Sequence, residues 1–155
     1  MAVVHKHLII RAEVGKPVQD EPVAIDWMNK LVDKIGMKVM MGPYAKYLKV
    51  EGNRGLTAVA IIETSHIALH IWDEDKPALV QLDVYTCGYL DPYDVVEALR
   101  DFHPIKIEMK YFPVGVFVIV LVFIIPSKIL SILTFIDVLN FGNQILFFSK
   151  SISVF

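Results

Sequence analysis

Apolar residues recur at every second position in several short runs along the first two thirds of the chain. In two other runs they recur at every third or fourth position. The first pattern is that of a half-buried strand and the second that of an amphipathic helix. Residues 2–14 alternate imperfectly and read as a strand. Asp20-Glu21-Pro22 then opens a helix, with Asp20 as N-cap and proline in the tolerant first turn. Ala24, Met28, Leu31, Val32 and Ile35 fall at helical spacing, and Gly36 suits the C-terminal stop. Residues 37–41 and 44–50 read as extended pieces around Gly42-Pro43, and 51–55 as a loop by composition. Residues 56–62, 65–72 and 78–86 are three β-rich runs. Asp91-Pro92 starts a second helix carrying Val95, Val96 and Leu99 on one face, and 105–111 alternate as a last strand. The order reduces to β-α-β-β-β-α-β. Clustered strands with short loops and two helices predict an α+β fold: a two-layer sandwich, antiparallel sheet with helices on one face.

The pattern stops at residue 112. From 113 to 155 the only charges are Lys128, Asp137 and Lys150, and residues 114–125 are apolar apart from Gly115. This tail explains why a chain of 155 residues reaches 55% hydrophobic residues and a mean hydropathy of +0.52. Twelve residues do not span a bilayer core of about 30 Å, which takes roughly 20 in a helix. Residues 113–139 are long enough, though Pro126, Lys128 and Asp137 interrupt them. Three readings fit 113–155: a membrane anchor or hairpin, an apolar element packed on the domain, or a non-native extension such as read-through. The expected division is therefore a domain at 1–112 and a hydrophobic tail at 113–155. Residues 1–10 contain His5, Lys6 and His7 and no long apolar stretch, unlike a secretory leader. A cytoplasmic location is expected, with membrane association if the tail is an anchor.

A formal charge of -2 supplies no basic face for nucleic acid. One cysteine excludes an internal disulfide framework and a four-cysteine zinc site. There is no phosphate-binding glycine loop and no dinucleotide fingerprint. Chemistry concentrates in residues 57–74 and 82–88, where Ser65, His66, His70 and Cys87 fall near strand ends. Neighbouring antiparallel strands would bring 65–72 alongside 82–87, so the thiol would approach the hydroxyl and the imidazoles. Zinc held by His66, His70 and Cys87 fits poorly, because a metal site needs its ligands at fixed tetrahedral directions and a His-x-x-x-His pair converges on a helix turn more readily than along an extended strand. A Ser–His–Asp hydrolase has its residue types here, but no nucleophile-elbow glycine pattern surrounds Ser65. Spacing and composition leave the function open.

Read together, Glu63-Thr64-Ser65-His66, His70-Ile71-Trp72-Asp73-Glu74 and Asp83-Val84-Tyr85-Thr86-Cys87-Gly88 resemble the prokaryotic S-adenosylmethionine decarboxylase proenzyme family. Its hallmark is a Glu-Ser-His segment, then His-x-Trp-x-Glu, then Asp, two apolar residues and Thr-Cys-Gly. The resemblance covers residues 1–112 and none of the tail. It implies a pyruvoyl enzyme whose proenzyme cuts its own backbone between Thr64 and Ser65. Ser65 then becomes a covalent pyruvoyl group that forms a Schiff base with the substrate amine, with no metal and no pyridoxal phosphate. By position, His70 matches the processing histidine, Thr57 a hydroxyl that assists processing, and Cys87 the proton donor. Tyr47 resembles an aromatic that stacks on adenine, Glu74 the carboxylate that holds the ribose or charged substrate, and His66 adjoins the substrate.

What the resemblance implies for the whole is a homodimer of cleaved protomers with sites near the interface, decarboxylating S-adenosylmethionine for spermidine synthesis. This chain departs from the pattern in four places. Thr64 stands where Glu or Lys precedes the serine, Thr57 replaces Ser, and the segments from Tyr47 to Thr57 and from Asp73 to Ala78 are longer. The departures touch the pocket rim rather than the self-cleavage residues. Some relatives decarboxylate a basic amino acid, so arginine or ornithine is the alternative substrate. A non-catalytic, membrane-tethered relative is the third reading.

Overall fold

The computed structural model describes residues 5–63, 65–114, 139–141 and 144–146. Alternation becomes a six-stranded sheet, all of it antiparallel, in the order β2-β3-β4-β5-β1-β6. The strands are β1 (His5–Val14), β2 (Val39–Leu48), β3 (Gly55–Ile62), β4 (Ser65–Trp72), β5 (Ala78–Thr86) and β6 (Pro104–Val114). In β1, Leu8, Ile10, Ala12 and Val14 are fully buried, while His7, Ile9, Arg11 and Glu13 point to the other face. The same two-residue period runs through β3, β4 and β5. The expected α+β two-layer fold is the one observed. It holds one more strand between the helices than the β-α-β-β-β-α-β order, because both extended pieces around Gly42-Pro43 join in β2. Gly42 lets the strand pass through this irregularity: its φ is +86°, and a side chain there would press on Val59 O.

Helix α1 (Glu21–Lys34) starts where Asp20 accepts the Val23 N–H at 3.0 Å, with proline in the first turn. It buries Ala24, Trp27, Met28, Leu31 and Val32 on the sheet and stops at Gly36, whose φ is +70°. Helix α2 (Pro92–Ala98) is capped by Asp91 and tightens into a 3₁₀ turn over Leu99–Phe102. The two helices meet through Trp27, whose indole N–H donates to Ala98 O at 3.1 Å and whose ring lies 4.7 Å from that of Phe102. Both helices lie on one face of the sheet. The opposite face is left open and carries Ile9, Tyr44, Val59, Ile61 and Phe112, all exposed.

β6 continues to Val114, which pairs with His5, two residues past the expected limit of 112. Of the tail, only the short strands β7 (Leu139–Phe141) and β8 (Gln144–Leu146) are described, as an antiparallel pair. The readings of 113–155 otherwise lie outside the described residues. Among the described residues, no helix is long and apolar enough to cross a membrane.

Phe102 is the largest of the fully buried side chains and closes the helix layer onto the sheet. Phe102→Ala is expected to cost about 3–5 kcal/mol through lost contact and a residual cavity. Urea unfolding followed by far-UV circular dichroism measures it.

Candidate active site

Ser65 opens β4 directly opposite Ile62, the last residue of β3. On the other side β4 runs along β5, which ends at Thr86 and hands on to Cys87. The Cys87 backbone N–H donates to Ser65 Oγ at 3.2 Å. Both residues are half-buried. The strand pairing thus brings the hydroxyl and the thiol-bearing residue together, as the sequence leads one to expect. Thr64 is outside the described residues.

The imidazoles divide. His70 faces Thr57 across the β3–β4 pair, with Nδ1 3.1 Å from Thr57 Oγ1. That pair lies on the open face, whereas Ser65 has the parity of the helix-facing Ile67, Leu69 and Ile71. Five residues of strand also separate His70 from Ser65, roughly 17 Å at the usual rise per residue. Cys87 therefore meets the Ser65 hydroxyl through its backbone N–H, and Ser65 stands apart from His70 of its own chain, which corrects the expectation that one strand pairing would assemble them all.

His66 sits on the open face beside Ser65. It stacks on Tyr85 at 5.6 Å, and its Nε2 is 3.7 Å from Asp83 Oδ1. His5 stacks on Tyr85 at 5.4 Å, and His7 meets the same ring edge-on while Nε2 bonds Asp83 Oδ2 at 2.9 Å. This cluster was not singled out from the sequence, although His5 and His7, alternating on the first strand, and Tyr85, two residues before Cys87, are its visible trace. Among the described residues no group of His, Cys, Asp and Glu is arranged to hold a metal ion.

The far end of the sheet is organised by Asp73, whose side chain is fully buried. Its carboxylate accepts from Gln19 Nε2 at 2.6 Å, Tyr47 OH at 2.7 Å and Arg54 Nε at 2.7 Å, and Arg54 NH2 donates to its carbonyl at 2.8 Å. Burial pushes the Asp73 carboxyl up, but the bonds from Arg54, Tyr47 and Gln19 outweigh it and hold the group below the usual aspartate value. The bond to Asp73, with burial behind it, raises the Tyr47 phenol. Tyr47 packs toward the helix layer, where its backbone N–H also donates to Glu21 Oε1 at 2.9 Å. Glu74 is exposed and accepts the Gly52 N–H at 2.8 Å. Tyr47 and Glu74, two of the three residues matched to substrate contacts, are thus engaged by the chain itself. The carboxylate that organises this end is Asp73, and the run of acids at 73–75 facing one loop arginine was the only hint of it.

A two-layer α+β domain that joins a hydroxyl and a thiol-bearing residue at adjoining strand ends defines the class. One solved likeness is the adenosylmethionine decarboxylase from Aquifex aeolicus, at a TM-score of 0.56 and 20% identity, covering 76% of this chain and 95% of that one. That likeness establishes the fold. The family model described as S-adenosylmethionine decarboxylase matches residues 7–115, and the chain belongs to that family. Curated relatives named S-adenosylmethionine decarboxylase proenzyme include one from Methanococcus aeolicus, 42% identical over 50 residues, or 32% of this chain. Another, from Pyrobaculum arsenaticum, is 47% identical over 64 residues, or 38% of this chain. The matched segments span 41% and 47% of those relatives' lengths.

Asp73 also sets an acid limit on stability. A carboxyl held below its ordinary 3.8 contributes fully above that pH and loses the contribution as pH falls through the lower folded value. Asp73→Asn is expected to cost about 1–3 kcal/mol at neutral pH. The gap between wild type and variant in urea midpoints should close below pH 3.8.

Proposed function

We propose that the chain is a self-processing, pyruvoyl-dependent decarboxylase of S-adenosylmethionine that supplies the aminopropyl donor for spermidine synthesis. The observation that carries this reading is the Ser65–Cys87 contact within the family's matched segment. Ser65 Oγ attacks the Thr64 carbonyl, the peptide nitrogen is displaced, and the acyl group moves to oxygen as an ester. The Cys87 N–H already points at that oxygen and steadies the negative charge that gathers there when the ester departs. Elimination leaves Thr64 as a new carboxyl terminus. Tautomerisation and hydrolysis at residue 65 then consume one water and release ammonia, so that serine ends as pyruvoyl. The residues fit this group: a half-buried hydroxyl at a strand start, with a backbone donor on its oxygen.

Once formed, the group offers a carbonyl for the substrate amine and withdraws electrons as CO2 leaves. Cys87 Sγ–H delivers the proton to the carbon that lost CO2. A reactive thiol of this kind suits a reducing cytoplasm. In the same reading His70 and Thr57 serve processing, but not for the Ser65 of their own chain, some 17 Å away along β4. A homodimer answers this. Two open faces packed end for end would lay the start of one chain's β4, the end that holds Ser65 and Cys87, over the partner's Thr57 and His70. Ile9, Tyr44, Val59, Ile61 and Phe112 give those faces apolar area to bury. The domain ends after β6 in this reading, and the tail takes no part in the site.

A basic amino acid, arginine or ornithine, is the second reading, favoured by one observation. Tyr47 is bonded to Asp73 and turned to the helix layer, and Glu74 is bonded to Gly52. Neither stands ready for an adenosyl group.

Intact mass should show two chains cut between residues 64 and 65, the second blocked by pyruvate. Ser65→Ala should stay whole, because no oxygen remains to form the ester. Wild type should release labelled CO2 from carboxyl-labelled S-adenosylmethionine, and release from arginine or ornithine instead would select the second reading. One uncut wild-type chain would sink both.

Sharing of the site has its own test. Ser65→Ala and His70→Ala should each remain whole alone. After co-refolding, the His70→Ala chain should be cut, because its Ser65 then meets the partner's intact His70. No cutting in the mixture would remove the shared-site arrangement.

A further inference from the structure

The long segment between Tyr47 and Thr57 folds back on the end of β4. Three consecutive loop residues bond three consecutive residues there. The Gly52 N–H donates to Glu74, Asn53 Oδ1 accepts the Trp72 indole N–H at 3.1 Å, and Arg54 forms its ion pair with Asp73. The Asp73 N–H returns a bond to Arg54 O at 3.3 Å. Asp73 is the anchor of this clasp, since a buried carboxylate holds its place only while its donors hold theirs.

Trp72 lies on the open face two residues from His70, and the two rings stack at 5.8 Å with 26° between their planes. On its other side His70 reaches Thr57 Oγ1. An imidazole on a sheet face has a broad torsion about its ring bond. A stacked neighbour and one hydrogen bond together leave it a single plane. The indole could swing as well, were its N–H not held by Asn53. Contacts therefore run without a break from Asp73 through Arg54, Asn53 and Trp72 to His70 and Thr57.

We propose that Asn53 and Trp72 are positioning residues for His70: the loop clasp holds the indole, and the indole fixes the imidazole plane that aims Nδ1 at Thr57. The inference rests on the reading that gives His70 its processing role. A clasp that only tethered the loop would leave the imidazole indifferent to Asn53.

The test uses the full chain, wild type and three variants, labelled with nitrogen-15 in histidine. Asn53→Ala removes the acceptor, Asn53→Asp keeps one, and Trp72→Phe keeps a ring but drops the N–H. Cleavage is followed on denaturing gels, and the His70 ring shifts, assigned against His70→Gln, report its tautomer and surroundings. Asn53→Ala and Trp72→Phe should cleave roughly ten-fold more slowly, the scale of loss when a reacting group is misplaced. The His70 ring shifts should move while thermal midpoints stay close to wild type. Asn53→Asp should restore both rate and shifts. Unchanged shifts and rate in Asn53→Ala, or no restoration by Asn53→Asp, overturn the proposal. If Asn53→Ala does not fold, Trp72→Phe decides by the same two readouts. If wild type never cuts itself, the functional reading falls, and the His70 shifts alone still decide the clasp.

Discussion

Strand β4 is hydrogen-bonded on both sides, to β3 and to β5, and its two-residue period fixes where every candidate group can go. A one-residue slip would bury His66 and His70 and expose Ile67, Leu69 and Ile71, so the apolar face holds the register against it. With that register set, Ser65 starts the strand on the helix side, and His66, His70 and Trp72 line the open side. The same pairing carries β5 past Ser65 and leaves the Cys87 N–H on its hydroxyl. Every functional statement about this chain depends on that alternation.

The two ends of the sheet differ in electrostatic character. Around Tyr85 three imidazoles gather with one carboxylate, Asp83, in contacts that are partly open to water. At the other end one carboxylate is fully buried and draws donors from the β1–α1 connection, from β2 and from the loop before β3. A lone buried carboxylate would be costly, and removing any one donor leaves it undercompensated. Asp73 therefore ties the β1–α1 connection and β2 to the end of β4, with which neither pairs. Gly55 belongs to the same constraint: any side chain there would run into the Ile71 backbone, so β3 can approach the end of β4 only as glycine.

An open sheet face is an unfinished layer. Helices cover one side, and the other side presents imidazoles, a hydroxyl and scattered large apolar residues in place of a continuous polar surface.

The elements were legible in the residues because alternation, helical spacing, the Asp20 and Asp91 caps and the stop at Gly36 are local, each acting within a few positions. Family membership was legible for the same reason: its three motifs are short and contiguous. Cys87 beside Ser65 followed from neighbouring strands. What the sequence did not determine lies in contacts between distant positions. The acids at 73–75 look alike in the chain. Only the backbone leaving β4 decides that Asp73 turns inward to Gln19, Tyr47 and Arg54 while Glu74 stays outside. Tyr47 read as a substrate contact because the resemblance matches it to an aromatic that stacks on adenine, and the tertiary structure turns it to the helix layer, where its hydroxyl bonds the buried Asp73. His70 read as a processing partner of Ser65 because the resemblance matches it to that role by position. Along a strand they stand roughly 17 Å apart, because an extended chain advances fully at each residue.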